Sequence, residues 1–229
     1  MLKLKTENLN VFYSDKQILK DISATFHGGE MTAVIGKNGA GKTTFIKAIA
    51  NQVRRRGKVT LLDDKDGTIY PKTDIAYLPQ LGSITSGLTV FEMVLLGLVK
   101  DLRWTVTDEQ IAAVNEVLTE LNLMELSDRP FNNLSGGQKQ LVSMAQSFVS
   151  KPKVLLLDEP TSALDLRHQL IVMDLARQYT KKMETIAIFV VHDLMLASRY
   201  CDNMLLLDDK VIKVYDKPEK VLIPELLES

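Results

Sequence analysis

The sequence predicts an α/β fold: a parallel-sheet core, preceded by an antiparallel β subdomain and interrupted by a mostly helical one. Three observations carry this. The continuous apolar runs "MTAVIG", "VLLLD" and "TIAIFVVHD" have the pattern of strands covered on both faces. Helical segments separate them, which makes a parallel arrangement the economical one. Between "YLPQ" and "NNLSGGQ" strand patterning gives way to apolar stripes of helical period.

The first thirty residues alternate like half-buried strands. Leu2, Leu4 and Thr6 share one face, and Ile22, Ala24 and Phe26 another, before Gly28-Gly29 closes the stretch. In the helical region, Val90, Met93, Val94, Gly97 and Leu98 form one stripe. Ile111, Val114, Val117, Leu118 and Leu121 form a second, opened by Thr107 and Gln110 as a capping box. An inserted helical subdomain is expected from about residue 82 to 145. "NMLLLDDKVIKVYD" reads as a hairpin turning at Asp208-Asp209-Lys210. Arg54-Arg55-Arg56 before Gly57 reads as cations at a helix C-terminus followed by a glycine cap.

With 229 residues, 45% hydrophobic and 25% charged, the chain has the composition of an ordinary globular protein able to bury a large core. A formal net charge of −1 offers no overall attraction to nucleic acid or anionic lipid. One cysteine, Cys201 on an expected helix, excludes an intramolecular disulfide and fits a reducing compartment. No stretch approaches the ~20 apolar residues that cross a bilayer, so any membrane role is expected to be peripheral.

"GKNGAGKTT" follows an apolar strand and precedes a helical run, the context in which G-x-x-x-x-G-K-[ST] cradles phosphate. Gly36, Gly39 and Gly41 free the backbone to turn N–H groups inward. Lys42 would reach the β- and γ-phosphates, and the Thr43 hydroxyl would ligate Mg²⁺. "VLLLDEP" delivers Asp158 to a strand end, where it can hold the same ion, and Glu159 beside it suits a general base for water. A second glycine pair, Gly136-Gly137, follows Ser135 at the mouth of another helix, where bare N–H groups again favour an anion.

"LSGGQ" followed by "VLLLDEP" and "SALD", on a chain carrying "GKNGAGKTT", resembles the ATPase subunit of an ABC transporter over nearly the whole length. The resemblance implies a P-loop NTPase (RecA-like) core and ATP contacts along Gly36, Lys37, Asn38, Gly39, Ala40, Gly41, Lys42, Thr43 and Thr44. It also explains the second glycine pair, because in this family two subunits join head to tail with two ATP molecules between them. Ser135, Gly136, Gly137 and Gln138 would then face the γ-phosphate held by the other copy. Gln80 resembles the glutamine that reaches Mg²⁺ and the attacking water, and His192 the switch histidine. Asp165 resembles the aspartate that signals across the dimer; it equally suits a helix N-cap. Tyr13 resembles the aromatic that stacks on adenine, with Phe12 adjacent. His27 and His168 match no catalytic position and are expected at the surface or in turns. Lys139, Leu141 and Gln146 depart from the arginines common at these positions.

The resemblance further implies a subunit at the cytoplasmic face of the cell membrane, working with integral permease subunits and indirectly with a solute-binding protein. "TVFEMVLLG", "VVHDLMLASRYCDNMLLLDDKVI" and "KPEKVLIPELL" are similar to the importer group serving ferric siderophores, haem and cobalamin. Zinc or manganese importers are the alternative. Soluble ABC ATPases acting in translation or on DNA are a further one, disfavoured by the single cassette and the absence of a basic surplus.

Overall fold

The computed structural model describes residues 1–80, 86–101, 106–162 and 164–227. Residue 82, where the insertion is expected to begin, and Ala163 of "SALD" lie outside the described residues. Contacts divide the chain into two units. The first comprises Met1–Pro79, Lys153–Pro160 and Ala176–Ser229, the second Gln80–Pro152 and Thr161–Leu175.

In the first unit, β1 (Leu2–Tyr13), β2 (Lys16–His27), β4 (Arg55–Asp63) and β5 (Ile69–Tyr70) form an antiparallel sheet in the order β2-β1-β4-β5. The other sheet contains β3 (Met31–Ile35), β6 (Ile75–Leu78), β7 (Val154–Asp158), β8 (Ile186–Val190), β9 (Asn203–Asp208) and β10 (Val211–Asp216). Its order is β10-β9-β3-β8-β7-β6, parallel except for the β9–β10 hairpin. Every residue of β3, β7 and β8 is buried, as their unbroken apolar runs require. Each fully buried Val, Leu, Ile or Phe there contributes about 1.5–3 kcal/mol before the opposing conformational entropy is counted. Helix α1 (Lys42–Ile49) packs Phe45, Ile46 and Ile49 into the same core as Val34, Leu156 and Ile188.

The second unit is helical: α2 (Val90–Leu95), α3 (Asp108–Glu120) and α4 (Gly136–Phe148). Each opens with a reciprocal capping box, Thr89 with Glu92, Thr107 with Gln110, and Ser135 with Gln138. These boxes satisfy donors that a helix start otherwise leaves unpaired. The stripe from Val90 is helical only to Leu95 and continues as a 3₁₀ segment, Leu96–Asp101. Helix α5 (Leu166–Met183) starts in this unit and ends in the first. Helix α6 (Leu194–Tyr200) belongs to the first unit, and Cys201, expected inside a helix, caps its end, buried.

The hairpin turns where expected. Asp209 and Lys210 both take positive φ, 47° and 71°, as a two-residue turn matching strand twist demands. The arginine run, by contrast, is not at a helix end. Helix α1 stops at Ile49, and Asn51 takes a left-handed φ of 61°. Arg55 and Arg56 then pair with Val11 and Asn10 inside β4. Gly57 sits at the register shift between Glu7 and Asn10, where its φ of 88° and the nearby Asn8 carbonyl leave no room for a Cβ. It is therefore a bulge glycine rather than a helix cap. Local charge pattern alone does not distinguish the two, because the deciding partner lies far upstream in β1.

Candidate active site

Strand order builds the site. Strand β8 lies between β3 and β7, and the registers put Val190 opposite both Val34 and Asp158. The three strands thus end level, and their C-terminal continuations emerge together, the usual crevice for ligands in a parallel sheet. From β3 comes the glycine loop leading to α1, from β7 Asp158 and Glu159, and from β8 His192.

A cavity of about 360 Å³ opens there, lined by Asn38, Gly39, Gly41, Lys42, Thr43 and Thr44 together with Tyr13, Ile18, Glu159 and His192. Tyr13 faces the cavity, whereas Phe12 lies beneath the Arg56 guanidinium, 5.4 Å from its carbon to the ring centre. Gly41 precedes α1 with φ 101°, and no side chain caps this helix. Unlike α2, α3 and α4, it leaves its first-turn N–H groups and its dipole to whatever anion enters.

Lys42 is 6% exposed, and its ammonium donates to the carbonyls of Gly36 (2.9 Å) and Lys37 (3.1 Å). Burial lowers its pKa, and the nearby carboxylates of Glu159 and Asp158 partly oppose that shift. Thr43 Oγ1 donates to Asp158 Oδ1 at 2.8 Å. Two hard oxygen ligands are therefore joined where Thr43 borders the cavity, a donor set that suits Mg²⁺. Among the described residues no group of three His, Cys, Asp or Glu could hold a metal.

Tyr77 escaped sequence reasoning. Its hydroxyl donates to the other Asp158 oxygen at 3.1 Å. Burial, then the Asp158 charge, push its pKa well above the ordinary value, so it remains a neutral donor. No local pattern marks it, since "IAYL" reads only as a strand. Tyr77→Phe is expected to destabilise the ligand-free protein by about 1.5–3 kcal/mol, the range for a hydrogen bond to a charged group. Urea unfolding checks this, and an unchanged midpoint would show that Asp158 does not need the hydroxyl.

Glu159 Oε1 accepts from His192 Nε2 at 2.6 Å. The Glu159 backbone is held at φ 50°, with its N–H bonded to the Val190 carbonyl. A non-glycine residue in that region costs on the order of 1–3 kcal/mol and tends to persist where function uses it.

Ala40, also predicted, lies in the first unit but is not among the residues lining the cavity; Gln80, Ser135, Gly136, Gly137, Gln138 and Asp165 belong to the second unit. Gln80 Nε2 donates to Ser162 Oγ at 3.2 Å. Ser135 and Gly136 are exposed, and Ser135 Oγ accepts from the Gln138 N–H. Gly137 is buried, because the His168 ring lies where its Cβ would be. Asp165 Oδ1 accepts from both the His168 backbone N–H (2.9 Å) and its Nδ1 (2.8 Å), which together hold the carboxyl below its usual pKa. His168 is partly exposed, in keeping with the surface or turn role expected, and the sequence carried no signal for its contact with Gly137.

The ABC transporter family model matches residues 19–162. A hemin import ATP-binding protein of Shewanella denitrificans is 36% identical over 99% of this chain and 91% of its own. An iron(3+)-hydroxamate import ATP-binding protein of Bacillus subtilis is 33% identical over 100% of this chain and 87% of its own. Among solved structures, a candidate transporter of the metal-chelate ABC type in an inward-facing conformation superposes with a TM-score of 0.87 at 29% identity. That alignment covers 99% of this chain and 88% of the other.

Proposed function

This chain belongs to the ABC transporter ATP-binding family, and from that premise we propose that it powers uptake of a metal chelate of the ferric siderophore, haem or cobalamin type. It binds ATP and is an ATPase. Two copies would pair head to tail at the cytoplasmic face of the membrane, docked on permease subunits that a solute-binding protein feeds. The import proteins to which it is similar support the cargo class, and the helical unit supports reading residues from about 82 to 145 as an inserted subdomain. No helix among the described residues is long and apolar enough to cross a membrane.

One observation carries the chemistry: the glycine loop, Lys42, Glu159 and His192 all line the same cavity. The triphosphate would lie along Gly36 to Thr44, its charge met by the uncapped start of α1 and by Lys42. Tyr13 offers a ring for adenine at the open side. Thr43 and Asp158 would hold Mg²⁺. The ion, when bound, neutralises charge on the β- and γ-phosphate oxygens. Glu159 would accept a proton from water as the water oxygen bonds to the γ-phosphorus and the bond to the β-γ bridging oxygen breaks. His192 keeps Glu159 aimed and would meet the γ-phosphate as it separates. Ser135, Gly136, Gly137 and Gln138 from the second copy would close over that phosphate. Asp165 would report closure across the pair.

Affinity purification of the full chain from its own membranes tests the importer reading. A polytopic permease is expected to co-purify, and ATPase activity is expected to rise when loaded solute-binding protein is added. RNA- or DNA-stimulated hydrolysis without a membrane partner would overturn it.

A further inference from the structure

Gly137 does not owe its identity to backbone conformation, since its φ is not in the left-handed region. It is glycine because a Cβ would lie 2.7 Å from His168 Nε2 and Cγ, closer than real Cβ contacts come. Gly136 beside it has open space on that side. The His168 ring therefore rests against the second residue of α4, in its first turn. The same ring donates through Nδ1 to Asp165, whose carboxylate also accepts the His168 backbone N–H. Gln169, next in the chain, donates to the carbonyls of Thr161 (3.3 Å) and Leu164 (3.0 Å), and Ser162 in that loop accepts from Gln80. All these groups lie within the second unit.

We propose that His168 is a positioning residue that locks Asp165 to the Gly137 end of α4, so that the two elements offered to the other copy are presented as one rigid surface. The inference rests on the head-to-tail reading above. Its physical content is geometric. A loop anchored only by its own backbone samples many positions, and ordering it at the moment of pairing costs free energy. Here a planar ring bridges the loop carboxylate and the helix start beforehand, with Gln169 tying down the Thr161 and Leu164 carbonyls that precede it. Pairing then closes on a surface already shaped. His168 is not among the residues that line the nucleotide cavity, and its contacts with Asp165 and Gly137 are the route proposed for its effect.

Two measurements on the full chain test this. The first needs no nucleotide. Gly137→Ala is expected to lower the melting temperature by about 2–12 °C, the shift that overpacking a tight contact produces in a chain of this size. In a His168→Ala background the same change should cost less than about 1 °C, since the obstructing ring is gone. Additive losses would overturn the contact.

The second measures pairing. In a Glu159→Gln background with ATP and Mg²⁺, sedimentation should show His168→Ala weakening the dimer about tenfold or more, within the usual span of coupling between sites. ATP affinity of the monomer should stay within about twofold. His168→Asn, which keeps a donor where Nδ1 stands, should recover part of the loss; a merely space-filling role would show no such recovery. A dimer constant unmoved by His168→Ala would overturn this inference alone. A Glu159→Gln protein that never dimerises would instead overturn the head-to-tail reading and this inference with it.

Discussion

Glu159→Gln should stop turnover and leave an ATP-bound dimer that outlasts any wild-type one. The substitution is isosteric, so the Val190 hydrogen bond and the left-handed φ of 50° carry over unchanged. What disappears is the capacity to take a proton from water. General-base catalysis is worth about 10²–10⁴ in rate, and kcat should fall by at least that factor. Binding should survive, because Lys42 and the α1 start are untouched. The amide oxygen introduced by the substitution can still accept from His192 Nε2, so the pair keeps its 2.6 Å geometry in outline. Phosphate-release kinetics with size-exclusion chromatography decide the matter. Turnover within a few-fold of wild type would remove Glu159 from the role of base, and a slow variant that stayed monomeric would break the link between pairing and hydrolysis.

Lys42→Ala should abolish useful nucleotide binding. The ammonium is nearly buried, and burial lowers its pKa, although the Glu159 and Asp158 carboxylates lie close enough to oppose part of that shift. Without it, a triphosphate would enter a cavity with two carboxylates and no lysine to balance them. Removing one partner of a buried, hydrogen-bonded charge contact typically costs about 2–5 kcal/mol of binding, or roughly 30- to 5,000-fold in affinity. The fold should hold, since the Gly36 and Lys37 carbonyls can be met by water. Titration with a fluorescent ATP analogue measures the loss, and circular dichroism separates it from unfolding. Undiminished affinity would mean that the cradle lies elsewhere.

The two predictions differ in what they read. The first separates chemistry from binding and reports on proton transfer, whereas the second removes binding itself. Tyr77→Phe probes a third element, the support beneath Asp158, and shows in stability before it shows in rate.

Much of this was legible in the chain. The glycine loop, Lys42, Thr43, the Asp158-Glu159 pair and the buried apolar runs are local signals, each written in a short consecutive stretch. So are the capping boxes of Thr107 and Ser135, because a helix start is satisfied by groups three residues away. Arg54-Arg55-Arg56 shows where local reading misleads. Its meaning depends on pairing with Val11 and Asn10, and a charge run beside a glycine looks alike at a helix end and at a bulge.

Composition, periodicity and motif spacing thus determined the α/β class and marked the glycine loop, Lys42, Thr43 and the Asp158-Glu159 pair as candidates for the chemistry, and the family resemblance added His192. The structure decided which of those side chains meet. Placing β8 between β3 and β7 brings Thr43 to Asp158 and His192 to Glu159, across separations of 115 and 33 residues. It also brought in Tyr77 and His168, which no motif marks. The reason is physical: strand order and ring-on-backbone packing are settled by long-range burial and register, and neither leaves a trace in the neighbouring residues.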